Sequence, residues 1–230
     1  HWYEAMEEFG AGDEEIIIAV MDGLVDAEHP DLINKMWRCP AESETCTEGS
    51  LGAPEDLSDW NWWPVAASWH GTHVAGIIAA DDTNDEGING FRPNCKIMRL
   101  ALPGFESNSA VEARLAYAAN NGAKVINMSF GLGYSSSPTM EGIFSDLYET
   151  HGILLIASAG NHQGNWSGFD TGYIKQYPCA YESVLCVANT TWNDTLYQTS
   201  TFHELVEVSA PGAAIISSST RPAFVEELRN

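Results

Sequence analysis

Asp22, His70 and His73 are the side chains whose types and spacing best suit chemistry. Asp22 follows the apolar run IIIAVM, where a carboxylate can bind Mg²⁺, accept a phosphoryl group, cap a helix or orient a histidine. The histidines lie three residues apart in HGTHVAG, so a zinc pair, and with Asp22 a metal-dependent hydrolase, is one interpretation. Helical zinc motifs usually place the histidines four apart with a Glu between them, and that Glu is absent. Both histidines could instead be ordinary polar residues at a helix start.

The elements that position these residues alternate along the chain. Apolar, β-branched runs predict strands over 16–21, 96–101, 124–129, 153–158, 184–188 and 206–208. Helices are predicted from His70 onward, with Val74, Ile77 and Ile78 on one face, and over 110–120 and 140–150. Residues 33–68 lack periodicity and are predicted to form a long surface loop. This alternation indicates an α/β fold with a mainly parallel sheet covered on both faces.

Three polar residues fall at or just beyond the carboxyl ends of predicted strands: Asp22, Ser129 and Asn161. Functional residues gather at these ends in parallel sheets. We therefore expect a functional site there.

Composition narrows the function classes. Ten Lys and Arg against 32 Asp and Glu give a net charge of -22, which repels nucleic-acid phosphates. No apolar run approaches the ~18 residues of a membrane helix, so neither nucleic acid nor a membrane is an expected partner. With 44% hydrophobic residues, residues 1–230 are predicted to form a single domain. A surface with this much negative charge is typical of a salt-tolerant protein or of a protein that binds calcium.

Five blocks together resemble the subtilase family of serine proteases. They are IAVMDGLVDAEHPDL, HGTHVAGIIAA, KVINMSFG, ILLIASAGN and VSAPG, in the family's order. The resemblance runs from about residue 11 to about residue 220, and the Asp-before-His order is that of subtilisin. It implies a three-layer α/β/α sandwich with a mainly parallel central sheet, and the activity of a serine endopeptidase that needs no cofactor for its chemistry.

The resemblance assigns roles to three residues. Asp22 would orient and stabilise the histidine, and His70 would act as general base and then general acid. Asn161 would donate its amide to the oxyanion of the tetrahedral intermediate. Without the other blocks, Asn161 could simply cap a loop.

The substrate would be a polypeptide lying extended beside two strand edges. The resemblance places one edge at Ser129, Phe130 and Gly131, and the other at Gly104, Phe105 and Glu106. Ser158, Ala159 and Gly160 would form a wall of the pocket for the residue before the scissile bond, and Gln176 falls near its base. A pro-segment is a further expected partner, because the family usually folds with one.

The chain departs from the family in two ways that bear on activity. Gly23 stands where the family usually has a hydroxyl residue after the aspartate. The Gly-Thr-Ser-Met-Ala block of the nucleophile is absent, and none of Ser217, Ser218 and Ser219 has its context. We expect a catalytic domain incomplete at the C-terminus and also at the N-terminus, with Gly-Thr-Ser following Asn230 and the fragment inactive alone. The alternative is a catalytically dead pseudoprotease that binds peptides or a partner.

The cysteines and sequons favour a secretory context. Cys39 and Cys46, and likewise Cys179 and Cys186, enclose short turn-rich stretches suited to local disulfides, which leaves Cys95 over; five reduced thiols are the alternative. Asn-x-Ser/Thr sequons stand at Asn165, Asn189 and Asn193, and a fourth, at Asn127, falls in a predicted buried strand. A secreted or secretory-pathway protein is the prediction.

Calcium is the one metal that the resemblance suggests. Asp31, in HPDL, matches a position that binds calcium in many members of the family. The loop Asp81–Asn89 (DDTNDEGIN) is rich in the oxygen ligands that calcium prefers. An acidic, solvated loop without a metal is the alternative.

Overall fold

The structure is a computed structural model that describes residues 15–53, 63–102, 107–161 and 175–221, together with residues 4, 7, 8 and 10. Of residues 63–68 it describes only the backbone. The chain falls into two compact units: unit 1 comprises residues 1–124 and 217–230, and unit 2 comprises 125–216.

Unit 1 is built on a pair of parallel strands. Strand β1 (Ile16–Asp22) pairs with β2 (Cys95–Ala101), in register from Ile16 opposite Cys95 to Asp22 opposite Ala101. Helix α1 (Trp63–Ala79) contacts both strands, and α2 (Asn108–Asn120) contacts β2. The second half of β1 is fully buried, which explains why its sequence is continuously apolar.

Unit 2 continues the strand–helix alternation. Strand β3 (Ala123–Met128) begins two residues before the unit does, and is followed by α3 (Pro138–Glu149), β4 (Leu154–Ser158), β5 (Leu185–Thr190) and β6 (Val208–Pro211). The pairs β3–β4, β4–β5 and β5–β6 are all parallel. Ser137 caps α3, and the helix buries Met140, Phe144 and Leu147. The strand and helix predictions are thus confirmed to within two or three residues at most ends.

One helix boundary was predicted wrongly. Helix α1 begins at Trp63, so His70 lies within the helix and not at its start. Pro64, the second residue of the helix, occupies a position where its missing N–H costs nothing. The buried face also differs from the prediction, because Val74, Ile77 and Ile78 are only half-buried.

Small residues form the buried face of α1: Gly71, Thr72, Ala75, Gly76 and Ala79. This face lets neighbouring backbone approach closely. A Cβ on Gly71 would lie 2.8 Å from the carbonyl oxygens of both Gly23 and Leu24. Close backbone approach, not bulk, therefore sets the composition of this face.

Residues 35–53 cover the outer edge of β2 with isolated backbone pairings, which adds regular contacts to the predicted surface loop. Trp37 N–H donates to the Ile97 carbonyl at 2.8 Å, and Arg99 N–H donates to the Leu51 carbonyl at 2.9 Å. Both predicted disulfides, Cys39–Cys46 and Cys179–Cys186, are confirmed, and Cys95 is free and buried. Among the described residues, no helix has the length and apolar character needed to cross a bilayer.

Candidate active site

Asp22 and His70 are brought together by β1 and α1. Asp22 is the last residue of the buried strand, and Gly71 lets the helix that carries His70 approach the chain just after it. Asp22 Oδ1 lies 2.7 Å from His70 Nδ1. With Nδ1–H directed at the carboxylate, Nε2 is the nitrogen able to accept a proton.

The electrostatics of the pair follow from its unequal exposure. The Asp22 side chain is 4% exposed and the His70 side chain is 42% exposed. The hydrogen bond to Asp22 raises the pKa of His70 above its ordinary value of 6.5, although partial burial acts in the opposite direction. A buried carboxylate thus supports an imidazole that solvent, and hence a substrate, can reach.

Gly23 shapes the surroundings of the Asp22 carboxylate. Its backbone N–H donates to Asp22 Oδ1 at 2.7 Å, so this oxygen faces two nitrogens. Oδ2 is buried and has no hydrogen-bond partner among the described residues. This agrees with the missing hydroxyl noted at position 23.

Trp69 is a neighbour of His70 that the sequence analysis missed. Its ring meets the imidazole edge-on with centroids 5.5 Å apart, and its side chain is about half exposed. The only sequence signal was an aromatic residue directly before HGTHVAG. The indole therefore packs against one side of the imidazole.

The end of β4 carries Asn161 in unit 2. Ala159 N–H donates to the Val187 carbonyl, and Thr201 N–H donates to the Gly160 carbonyl, each at 2.9 Å. Gly160 adopts a φ of +103°, a conformation that an L side chain rarely adopts. This turn leaves Asn161 exposed just beyond the strand, where an amide donor can meet a ligand.

Ser129, Phe130 and Gly131 follow β3 directly, whereas Ser129 was predicted to be the last residue of the strand. Asn127 Nδ2 donates to Ser129 Oγ at 3.0 Å, and all three residues are at least partly accessible. The second predicted edge, formed by Gly104, Phe105 and Glu106, lies outside the described residues.

Gln176 links the segment after β3 to the turn after β4. A Cβ on Gly131 would overlap its Nε2, and a Cβ on Gly160 would overlap its Oε1, so the amide fills the space between the two glycines. Its Oε1 is buried without a hydrogen-bond partner among the residues described. Tyr177 pairs with Gly133 and Cys179 forms a disulfide with Cys186, so the backbone directly after Gln176 is held in place.

The calcium prediction at Asp31 is not supported by the donor chemistry around it. Asp31 is buried, and its Oδ2 accepts a hydrogen bond from Ser218 Oγ at 2.7 Å. Asp81, in the predicted loop, forms an ion pair with Lys35 at 3.2 Å. Burial raises the pKa of Asp81, but the hydrogen bonds from Thr83, Asn34 and Lys35 outweigh it and lower that pKa to about 2. Hydroxyl and amide donors and the Lys35 ammonium thus already contact oxygens of both carboxylates.

A zinc site at Asp22, His70 and His73 is likewise unsupported. Within the part of the chain that the structure describes, no group of three or more His, Cys, Asp or Glu side chains is arranged to hold a metal ion. His70 Nδ1 is directed at Asp22. The pair therefore has the arrangement expected of a general base and its orienting carboxylate.

Comparison with known proteins identifies the family. The model of the subtilase family matches residues 13–227. The chain is 34% identical over 208 residues to a thermophilic serine proteinase of Bacillus sp. (strain AK1), and 32% identical over 207 residues to thermitase of Thermoactinomyces vulgaris. These matches cover 88% and 87% of this chain but 45% and 64% of the relatives. Other relatives include one named as extracellular and one named as intracellular.

Solved structures agree with this assignment. The crystal structure of the psychrophilic subtilisin-like protease Apa1 from Pseudoalteromonas sp. AS-11 matches with a TM-score of 0.69 and 29% identity. That match covers 95% of this chain and 47% of the other. It confirms the predicted subtilisin-like α/β/α sandwich. Taken with the family match over residues 13–227, it shows that this chain belongs to the subtilase family.

Proposed function

We propose that the protein carrying this chain is a serine endopeptidase that cleaves extended polypeptides with an Asp-His-Ser triad. The observation that carries the proposal is the 2.7 Å contact between Asp22 Oδ1 and His70 Nδ1. In this proposal the carboxylate stabilises the imidazolium that forms when His70 takes a proton from a serine hydroxyl, and the short contact supports that role. Asn161 supplies the oxyanion donor in this proposal, and its exposure beyond β4 supports that role.

In this proposal neither Ser217 nor Ser218 is the nucleophile. Ser217 Oγ donates to the His73 carbonyl and Ser218 Oγ donates to Asp31, both at 2.7 Å. Both hydroxyls thus have structural partners. In our proposal the serine follows Asn230 in the gene product, in a Gly-Thr-Ser sequence, and the 230-residue chain alone is inactive.

Two experiments test this proposal. The transcript is sequenced past codon 230, and the full-length protein is treated with a fluorophosphonate probe, with His70→Gln as the matched control. We expect Gly-Thr-Ser directly after Asn230, and labelling that the control abolishes. An in-frame stop or an unrelated sequence, together with no labelling, would favour the pseudoprotease alternative. The Oδ2 of Asp22, which has no hydrogen-bond partner within the described part of the chain, is the observation that favours that alternative.

The side-chain preference follows from Gln176. We assign the pocket for the residue before the scissile bond to the space between Ser129–Gly131 and Ser158–Gly160. The Gln176 amide already occupies the space between Gly131 and Gly160, so the pocket is shallow. We expect cleavage after small residues such as Ala or Ser, which a library of peptide substrates would measure. Cleavage mainly after Phe or Leu would contradict this assignment.

Secretion remains part of the proposal. Two disulfides are typical of an oxidising compartment. Of the sequons, Asn193 is exposed in a turn, whereas Asn189 lies in β5 with its Oδ1 buried, and Asn165 lies outside the described residues. Mass spectrometry of the protein from its native source should find any glycan at Asn193 and not at Asn189. We add no calcium to the proposal, and a pro-segment stays a prediction.

A further inference from the structure

Residues 217–221, which we call the strap, bring the chain back to unit 1 after unit 2. Two of its hydroxyls reach residues that follow Asp22 and His70 in sequence. Ser217 Oγ donates to the His73 carbonyl of α1, and Ser218 Oγ donates to Asp31 Oδ2, both at 2.7 Å. The strap therefore contacts both the chain that follows β1 and the helix that carries His70.

Arg221 makes the strongest contact of the strap. Its Nε donates to Asp26 Oδ2 and its Nη2 to Asp26 Oδ1, both at 2.8 Å, and its backbone N–H donates to Oδ2 at 3.0 Å. Nη2 also lies 3.3 Å from the exposed carboxylate of Glu28. Asp26 is fully buried, and a buried carboxylate is tolerated only with such compensation.

Asp26 also binds α1 directly. Its backbone N–H donates to Thr72 Oγ1 at 3.0 Å, two residues after His70. The turn that begins just after Asp22 is thus fixed to α1 by Thr72 and to the strap by Arg221. Close approach of Gly71 to the carbonyls of Gly23 and Leu24 completes this contact.

The strap packs against the backbone of α1 at Gly76. A Cβ on Gly76 would lie 2.6 Å from Ser217 Oγ and 2.7 Å from Ser218 Oγ. An alanine there would therefore displace the strap, although it touches neither Asp22 nor His70.

We propose that the strap positions the Asp22–His70 pair, with Arg221 and Asp26 as positioning residues that hold the turn after β1 on α1. The role assigned to the pair rests on the proposed function, but the positioning does not. Loss of the strap lets the turn move from the helix, and the distance between the Asp22 carboxylate and the imidazole then varies. The contact with Asp22 favours the protonated imidazole. A lower pKa of His70 would therefore show that the strap no longer holds the pair together.

The test compares Arg221→Met and Gly76→Ala with the unaltered protein. NMR follows the titration of the His70 imidazole, assigned from the resonance missing in His70→Gln. We expect both variants to lower the His70 pKa by about half a unit or more. Arg221→Lys keeps the positive charge but cannot form the two parallel hydrogen bonds to Asp26. The pKa of His70 in this variant should therefore lie between its values in Arg221→Met and in the unaltered protein.

The matched control is Glu204→Gln, which removes the 2.8 Å ion pair between the exposed side chains of Lys175 and Glu204. It should leave the His70 titration unchanged. A strap with a purely stabilising role would lower the melting temperature of the variants and leave the His70 pKa as it was, and that result would overturn the proposal. Should Arg221→Met not fold, Gly76→Ala and Arg221→Lys decide the question. The titration needs neither a nucleophile nor a substrate, so failure of the endopeptidase proposal would be seen separately.

Discussion

Replacing Asp22 with Asn removes the charge that faces His70 Nδ1 at 2.7 Å and nearly preserves the shape of the side chain. A hydrogen bond to a charged group contributes about 1.5–3 kcal/mol. Because the His70 side chain is 42% exposed, solvent screening favours the lower end of that range. One pKa unit corresponds to about 1.4 kcal/mol, so we expect Asp22→Asn to lower the His70 pKa by about one unit.

The same substitution has a stability effect whose sign depends on pH. The His70 pKa in the folded protein is raised above 6.5. The stabilisation that results is therefore fully present at pH values below the pKa of His70 in the unfolded chain. It is lost as the pH rises through the pKa of His70 in the folded protein. Asp22→Asn should lower the free energy of unfolding by about 1 kcal/mol more near pH 5.5 than near pH 9. At pH values above the pKa of His70 in the folded protein, Asp22→Asn should change the free energy of unfolding little. The lost hydrogen bond is offset there, because the substitution also removes a buried charge whose Oδ2 has no partner among the described side chains.

The assay is an NMR titration of the histidine imidazoles, combined with urea unfolding at the two pH values. Asp146→Asn is the matched control, because it removes the carboxylate 3.6 Å from the exposed His151 and should leave His70 unchanged. A His70 pKa that stays the same or rises in Asp22→Asn would refute the reasoning, since it would mean that the carboxylate does not stabilise the imidazolium.

Three further predictions concern other parts of the protein. In the full-length protein Asn161→Ala should lower kcat by about 10²–10³-fold with little change in KM, the loss known for the oxyanion asparagine of subtilisin itself; steady-state kinetics that show only a KM effect would contradict the role. Gln176→Ala should deepen the pocket and raise about tenfold the ratio of kcat/KM for peptides with Leu before the scissile bond to kcat/KM for peptides with Ala there. The control Gln198→Ala, at an exposed position, should leave this ratio unchanged. The same ratio in both variants would disprove the assignment of the pocket. Burial raises the pKa of the Cys95 thiol to about 12, so a thiol reagent should label no cysteine in the native chain. After unfolding without reductant it should label one cysteine, Cys95. Labelling of three or five cysteines would exclude the disulfide pairing.

The strands and helices were predictable wherever the pattern was local. The apolar run of β1 and the regular alternation from β2 to β5 indicated parallel strands and helices, because burial on two faces requires continuous apolar sequence. The start of α1 was not predictable in this way. Its first turn holds Pro64, and its buried face is made of small residues chosen for close backbone approach, so neither helix propensity nor apolar periodicity marks it.

Sequence by itself determined the family and singled out Asp22, His70 and Asn161 as the expected site residues, because they stand in blocks whose order and content are specific. Tertiary structure decided the 2.7 Å contact of Asp22 with His70, the position of Gln176 between two glycines, and the ion pair of Arg221 with Asp26. Each of these joins residues at least 16 positions apart in sequence. Distances of this kind depend on packing between elements and leave no periodic signal along the chain, so only the folded structure reveals them.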